Sequence, residues 1–82
     1  MPRVRLIGKP GCHLCDVARD VVAAECAAVG VKWDEVSILD EAELADRYWE
    51  LIPVVLVDGV QVAHWFVEPD TLRRVLTADL ST

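Results

Sequence analysis

Between Cys12 and Val29 the apolar residues Leu14, Val17, Ala18, Val21, Val22 and Cys26 return at helical spacing, and Gly30 follows as a stop. Short apolar runs stand on either side. Residues 3–8 and Val31 to Leu39 read as strands, the second with Trp33 on one face. A strand, a helix and a strand in succession demand a parallel pair joined by a right-handed crossover. Every later element must then extend that sheet or cover it.

Asp40 followed by Glu43 looks like a capping box, and Leu44, Ala45, Tyr48 and Trp49 continue a short helix, with Trp49 expected to pack. Val54-Val55-Leu56-Val57 and Val60-Gln61-Val62-Ala63 read as two strands, and Asp58-Gly59 between them is a strong hairpin signal. Glu68-Pro69-Asp70 opens a last helix whose apolar stripe is Leu72, Val75, Leu76 and Leu80. The predicted order is β-α-β-α-β-β-α. It implies a single α/β domain over residues 1–82, a four-stranded mixed sheet in a three-layer α/β/α arrangement.

At 82 residues the core must be modest, and with 54% hydrophobic but only 6% aromatic residues it is built from Val, Leu, Ala and Ile. A net charge of −6 argues against binding nucleic acid or anionic membranes, which rests on clustered Lys and Arg; Arg73-Arg74 is an isolated pair. The opening Met1-Pro2-Arg3-Val4-Arg5-Leu6 is too short and too charged for a signal peptide, and no apolar run reaches spanning length. A cytoplasmic setting is therefore expected. Structural disulfides are rare there, so two cysteines spaced Cys-x-x-Cys point to redox chemistry or metal binding.

The pair is Cys12 and Cys15, set after the turn-rich loop Gly8-Lys9-Pro10-Gly11. Cys12 falls where the first helix begins, so unpaired N–H groups and the positive end of the helix dipole face its sulfur. That favours thiolate, the form that attacks a disulfide. Lys9 and His13 add positive charge nearby, and Asp16 opposes them. Cys15, one turn further on, is expected on the same side and less exposed. The natural assignment is Cys12 as nucleophile and Cys15 as resolving thiol. Cys26 sits at core spacing and reads as a buried, inert thiol.

Ile52-Pro53 precedes the third strand. In a redox domain of this order, a cis proline at 53 sits against the cysteines and leaves the backbone of Ile52 to pair with an extended substrate. His64, Trp65 and Phe66 suggest an apolar rim beside the site for protein substrates.

A strand, Lys-x-x-Cys-x-x-Cys at the start of a helix, and a proline before a hairpin resemble a glutaredoxin of the thioredoxin superfamily. The segments Gly-Cys-His-Leu-Cys-Asp, Ile-Pro-Val-Val-Leu-Val-Asp-Gly and Leu-Arg-Arg-Val-Leu are closer still to the small bacterial glutaredoxin-like proteins. The resemblance spans essentially the whole chain. It implies Cys12 as nucleophile, Cys15 as resolving thiol, Lys9 in the place of the lysine near the glutathione carboxylate, and Ile52-Pro53 in the place of Val-Pro. The chain departs from glutaredoxins at Leu51, where threonine is usual. It departs again at His64-Trp65-Phe66-Val67, which replaces a Gly-Gly turn and an acidic helix start with bulk; Asp70 is the nearest acidic stand-in.

The expected function is thiol-disulfide exchange on a protein or small-molecule disulfide. No resident cofactor or metal is expected. Glutathione or another low-molecular-weight thiol would serve as co-substrate, or a flavin reductase as electron donor, with the chain acting as a monomer. Two alternatives stand beside this reading. One is a metal or iron–sulfur carrier, for which one Cys-x-x-Cys supplies only two ligands. The other is a non-catalytic binding module that uses Trp65 and Phe66.

Overall fold

The computed structural model describes residues 2–78. Four strands, β1 (Val4–Gly8), β2 (Trp33–Ser37), β3 (Val54–Val57) and β4 (Val60–His64), alternate with three helices, α1 (His13–Val29), α2 (Ala42–Tyr48) and α3 (Pro69–Ala78). The order is β-α-β-α-β-β-α as predicted. The sheet runs β2-β1-β3-β4, with β1 and β2 parallel and the other two pairings antiparallel.

Side-chain alternation along the strands sorts the core into two layers. Val4 and Leu6 of β1 join Val55 and Val57 of β3 on one face, where they meet Ala18, Val22 and Cys26 of α1 and Leu72 and Leu76 of α3. Ile7 and Val54 point the other way and pack with Ile38 and with Tyr48 of α2. The sheet is therefore covered by α1 and α3 on one side and by α2 on the other. Ion pairs join elements distant in sequence; among them, Arg5 forks onto Asp34 at 3.0 and 3.1 Å, and Arg73 donates to the buried carboxylate of Glu25 at 2.8 Å.

Several elements differ from expectation. β2 is shorter than Val31 to Leu39, because its flanks serve other structures. The N–H of Val31 bonds back to Cys26 at the exit of α1, and the N–H groups of Leu39 and Asp40 fold onto Ser37. The Asp40–Glu43 capping box does not form. Glu41 is the N-cap residue of α2 and gives no side-chain cap, while the Asp40 carboxylate accepts from the Ser37 N–H at 3.3 Å. Trp49 does not pack; it follows α2 and is 61% exposed. Leu80, the last residue of the predicted α3 stripe, lies outside the described residues. No helix among the described residues is long and apolar enough to cross a membrane.

Candidate active site

α1 starts at the dithiol. Gly11, at φ +75°, takes a left-handed turn that side chains resist, and this delivers Cys12 to the N-cap position in extended conformation. The Cys12 sulfur accepts a hydrogen bond from the Cys15 N–H at 3.2 Å, the geometry of a side-chain helix cap. Cys12 is partly exposed, whereas Cys15 is fully buried one turn below; the two residues approach to 2.6 Å and both thiols are free.

Burial pushes the Cys15 thiol up to about 11, and its hydrogen bond with Cys12 adds to the shift; the backbone N–H of Lys9 opposes it. Cys15 fits because the facing strand ends in glycine. A Cβ on Gly8 would stand 2.8 Å from the Cys15 sulfur. The pair thus presents one accessible sulfur above one buried sulfur that holds its proton.

The charges around the helix start are organised by Arg19. It pairs with Asp16 at 2.9 Å and forks onto Glu35 of β2 at 2.7 and 2.8 Å, so the acidic side chain nearest the dithiol is already compensated. Lys9 and His13 are exposed. Lys9 lines a shallow cleft with Pro10, Arg19, Glu35, Ser37 and Asp40.

The Ile52-Pro53 bond is cis. β1 and β3 pair antiparallel with Ile7 opposite Val54, and continuing that register sets Pro53 beside Gly8, at the dithiol end of the sheet. Contrary to the expectation of a free Ile52 backbone, its N–H already donates to the Tyr48 carbonyl at 3.1 Å, because the chain turns straight out of α2.

Trp65 and Phe66 are exposed after β4, and with Leu14 and Val17 of α1 they line an apolar groove that Glu68 borders. Of the three residues expected in the rim, Trp65 and Phe66 share this groove with the helix that carries the cysteines, and His64 does not line it. Lys9 and Trp65 line different depressions, so the structure does not join them in one pocket. Cys26 is fully buried in the α1–α3 core, and burial raises its thiol as well.

Two contributors escaped the sequence reading. Gly8 looked only like a turn glycine, and a close approach to a residue seven positions later has no local signal. The Arg19–Glu35 link depends on the β1–β2 register, which composition does not encode.

The structural neighbours agree with this architecture. The chain is 29% identical to XcR50 from X. campestris, with a TM-score of 0.75 over 92% of this chain and 96% of that one. It is 21% identical to Ne2328 from Nitrosomonas europaea, with a TM-score of 0.72 and 88% of each chain covered. A glutaredoxin from Archaeoglobus fulgidus, 17% identical, superposes with a TM-score of 0.64 over 93% of this chain and 87% of that one, which speaks to the fold. No curated protein matches. Residues 3–77 match the family model of the glutaredoxin-like domain (DUF836), and the chain belongs to that family.

Proposed function

We propose that the protein is a cytoplasmic dithiol oxidoreductase that reduces disulfides through Cys12 and Cys15. The observation that carries this reading is the Cys12 sulfur itself: accessible, seated at the start of α1, and accepting the Cys15 N–H at 3.2 Å.

The Cys12 thiolate attacks one sulfur of the substrate disulfide. That S–S bond breaks, the distal substrate sulfur leaves as a thiolate and takes a proton, and Cys12 is held in a mixed disulfide. Cys15 then gives up its proton and attacks the Cys12 sulfur, releasing the second substrate thiol. The substrate gains two electrons and two protons, and the protein is left with a Cys12–Cys15 disulfide. A low-molecular-weight thiol or a flavin reductase restores the dithiol. Burial suits Cys15 to the second role, because a proton-bearing thiol does not compete with Cys12 for the incoming disulfide.

Apolar bulk at Trp65 and Phe66 supports a protein or peptide disulfide as substrate over glutathione disulfide. Turnover of a small reporter disulfide and of a disulfide-bonded peptide tests the reading. Cys12→Ser should abolish both, and Cys15→Ser should accumulate the mixed disulfide and allow the bound substrate to be identified. Activity that survives Cys12→Ser refutes the proposal.

A further inference from the structure

Trp65 is folded in a way that its residue type resists. Its φ is +64°, the left-handed region that glycine enters freely and a bulky aromatic rarely does. Such a conformation persists only where the surroundings over-determine it. Here they do. The Trp65 N–H donates to two carbonyls of the loop between α2 and β3, Leu51 at 3.2 Å and Pro53 at 2.9 Å. Its indole Nε1–H reaches the carbonyl of Glu50 at 2.9 Å. The ring also meets His64 edge-on, with centroids 4.9 Å apart. One residue therefore ties three carbonyls of a four-residue segment to the end of β4.

The same side chain is 50% exposed and lines the apolar groove with Leu14 and Val17. Loop and groove are coupled through it. If the indole moves, the groove changes shape and the Glu50–Pro53 segment loses a donor at the end of the sheet where the dithiol lies. A glycine at 65 would make the same turn without strain and keep the backbone donor, but it would offer no indole donor and no groove wall.

We propose that Trp65 is a positioning residue that latches the Glu50–Pro53 segment to β4, so that the proline loop and the apolar groove face Cys12 as one rigid unit. This rests on the disulfide-reductase reading for its effect on catalysis, and not for the latch itself.

The test compares Trp65→Phe, which removes only the indole donor, with Trp65→Gly, which removes ring and strain together. In Trp65→Phe, KM for a disulfide-bonded peptide should rise roughly fivefold, the loss of about one hydrogen bond. Its kcat and the rate at which iodoacetamide alkylates Cys12 should stay near wild type, and its melting temperature should fall only by the few degrees that one hydrogen bond is worth. In Trp65→Gly, KM should rise further, and the amides of Leu51 and Ile52 should exchange with solvent at least tenfold faster although the strained φ is relieved. A merely structural role would lower the melting temperature and leave KM alone. Unchanged KM in both variants beside an active wild type overturns the positioning role. Unchanged amide exchange in Trp65→Gly overturns the latch. A wild type with no disulfide turnover defeats the oxidoreductase reading instead, and amide exchange then decides the latch by itself.

Discussion

Gly8 and Cys15 pack so closely that no side chain fits between them: a Cβ on Gly8 would lie 2.8 Å from the Cys15 sulfur and 3.3 Å from its Cβ. The Cys15 side chain lies directly against the strand backbone there, and this holds Cys15 beneath Cys12. Gly8→Ala overfills the contact, and overpacking of this kind costs about 1–3 kcal/mol. Thermal melting should show the loss. Cys15 should also be displaced, so single-turnover assays should show the mixed disulfide resolving more slowly than in wild type. A variant with wild-type melting and wild-type resolution contradicts the proposed packing role.

In the proposed mechanism the raised Cys15 thiol sets the pH dependence of the resolving step. Burial is the leading cause and persists when Cys12 is joined to substrate, so Cys15 stays protonated at neutral pH. Resolution should accelerate by nearly tenfold per pH unit between about 7 and 9, as the thiolate fraction grows. Stopped-flow release of the second substrate thiol measures it.

The same shift affects stability with a definite sign. The folded chain keeps the Cys15 proton to about pH 11, whereas a thiol in the unfolded chain releases it near 8.5. The folded state binds more protons in that window, so stability is full below it and falls as pH rises through it. Urea titrations at pH 8 and pH 10 should show the decline, and Cys15→Ala should show less of it.

Glu25 is buried on α1 and its carboxylate is met by Arg73 from α3 at 2.8 Å. Removing the partner leaves a desolvated carboxylate between the two helices, which is costlier than never having had the pair. Arg73→Met should lower the melting temperature by roughly 4–8 °C. The double variant Arg73→Met with Glu25→Leu should recover most of that loss; a double variant no better than the single would show that the pair is not what joins α1 to α3.

Phe66 is 68% exposed, so Phe66→Ser should leave the melting temperature close to wild type. KM for a disulfide-bonded protein should increase by more than KM for a small reporter disulfide, because only the larger substrate reaches the groove. Equal effects on both would place Phe66 outside substrate recognition.

The sequence was most legible where local chemistry decides the outcome. α1 ends at Gly30 because its periodicity stops there and a left-handed glycine caps it. The β3–β4 turn is Asp58-Gly59 with both residues at positive φ, as that dipeptide suggests. The cysteines followed from the helix start they occupy. It was least legible where two local options compete. Asp40 had a choice of caps and took the Ser37 N–H over α2, and Trp49 stays 61% exposed once α2 stops at Tyr48. The Ile52 N–H was lost to Tyr48 because the loop is tighter than its residues reveal. A left-handed tryptophan has no sequence signature, so Trp65 could be read as a rim and not as a latch.

The sulfur that caps α1 is also the sulfur proposed to react. A thiolate accepts an N–H such as that of Cys15 well; once that sulfur is bonded to substrate it is a much poorer acceptor, and a side-chain cap made by oxygen is worth about 1 kcal/mol. Each catalytic cycle would therefore uncap the helix at the moment when Cys15 must leave its seat beneath Gly8, and recap it when the dithiol is restored. In the proposed cycle the first turn of α1 would act as a spring catch, released by the bond it helps to form.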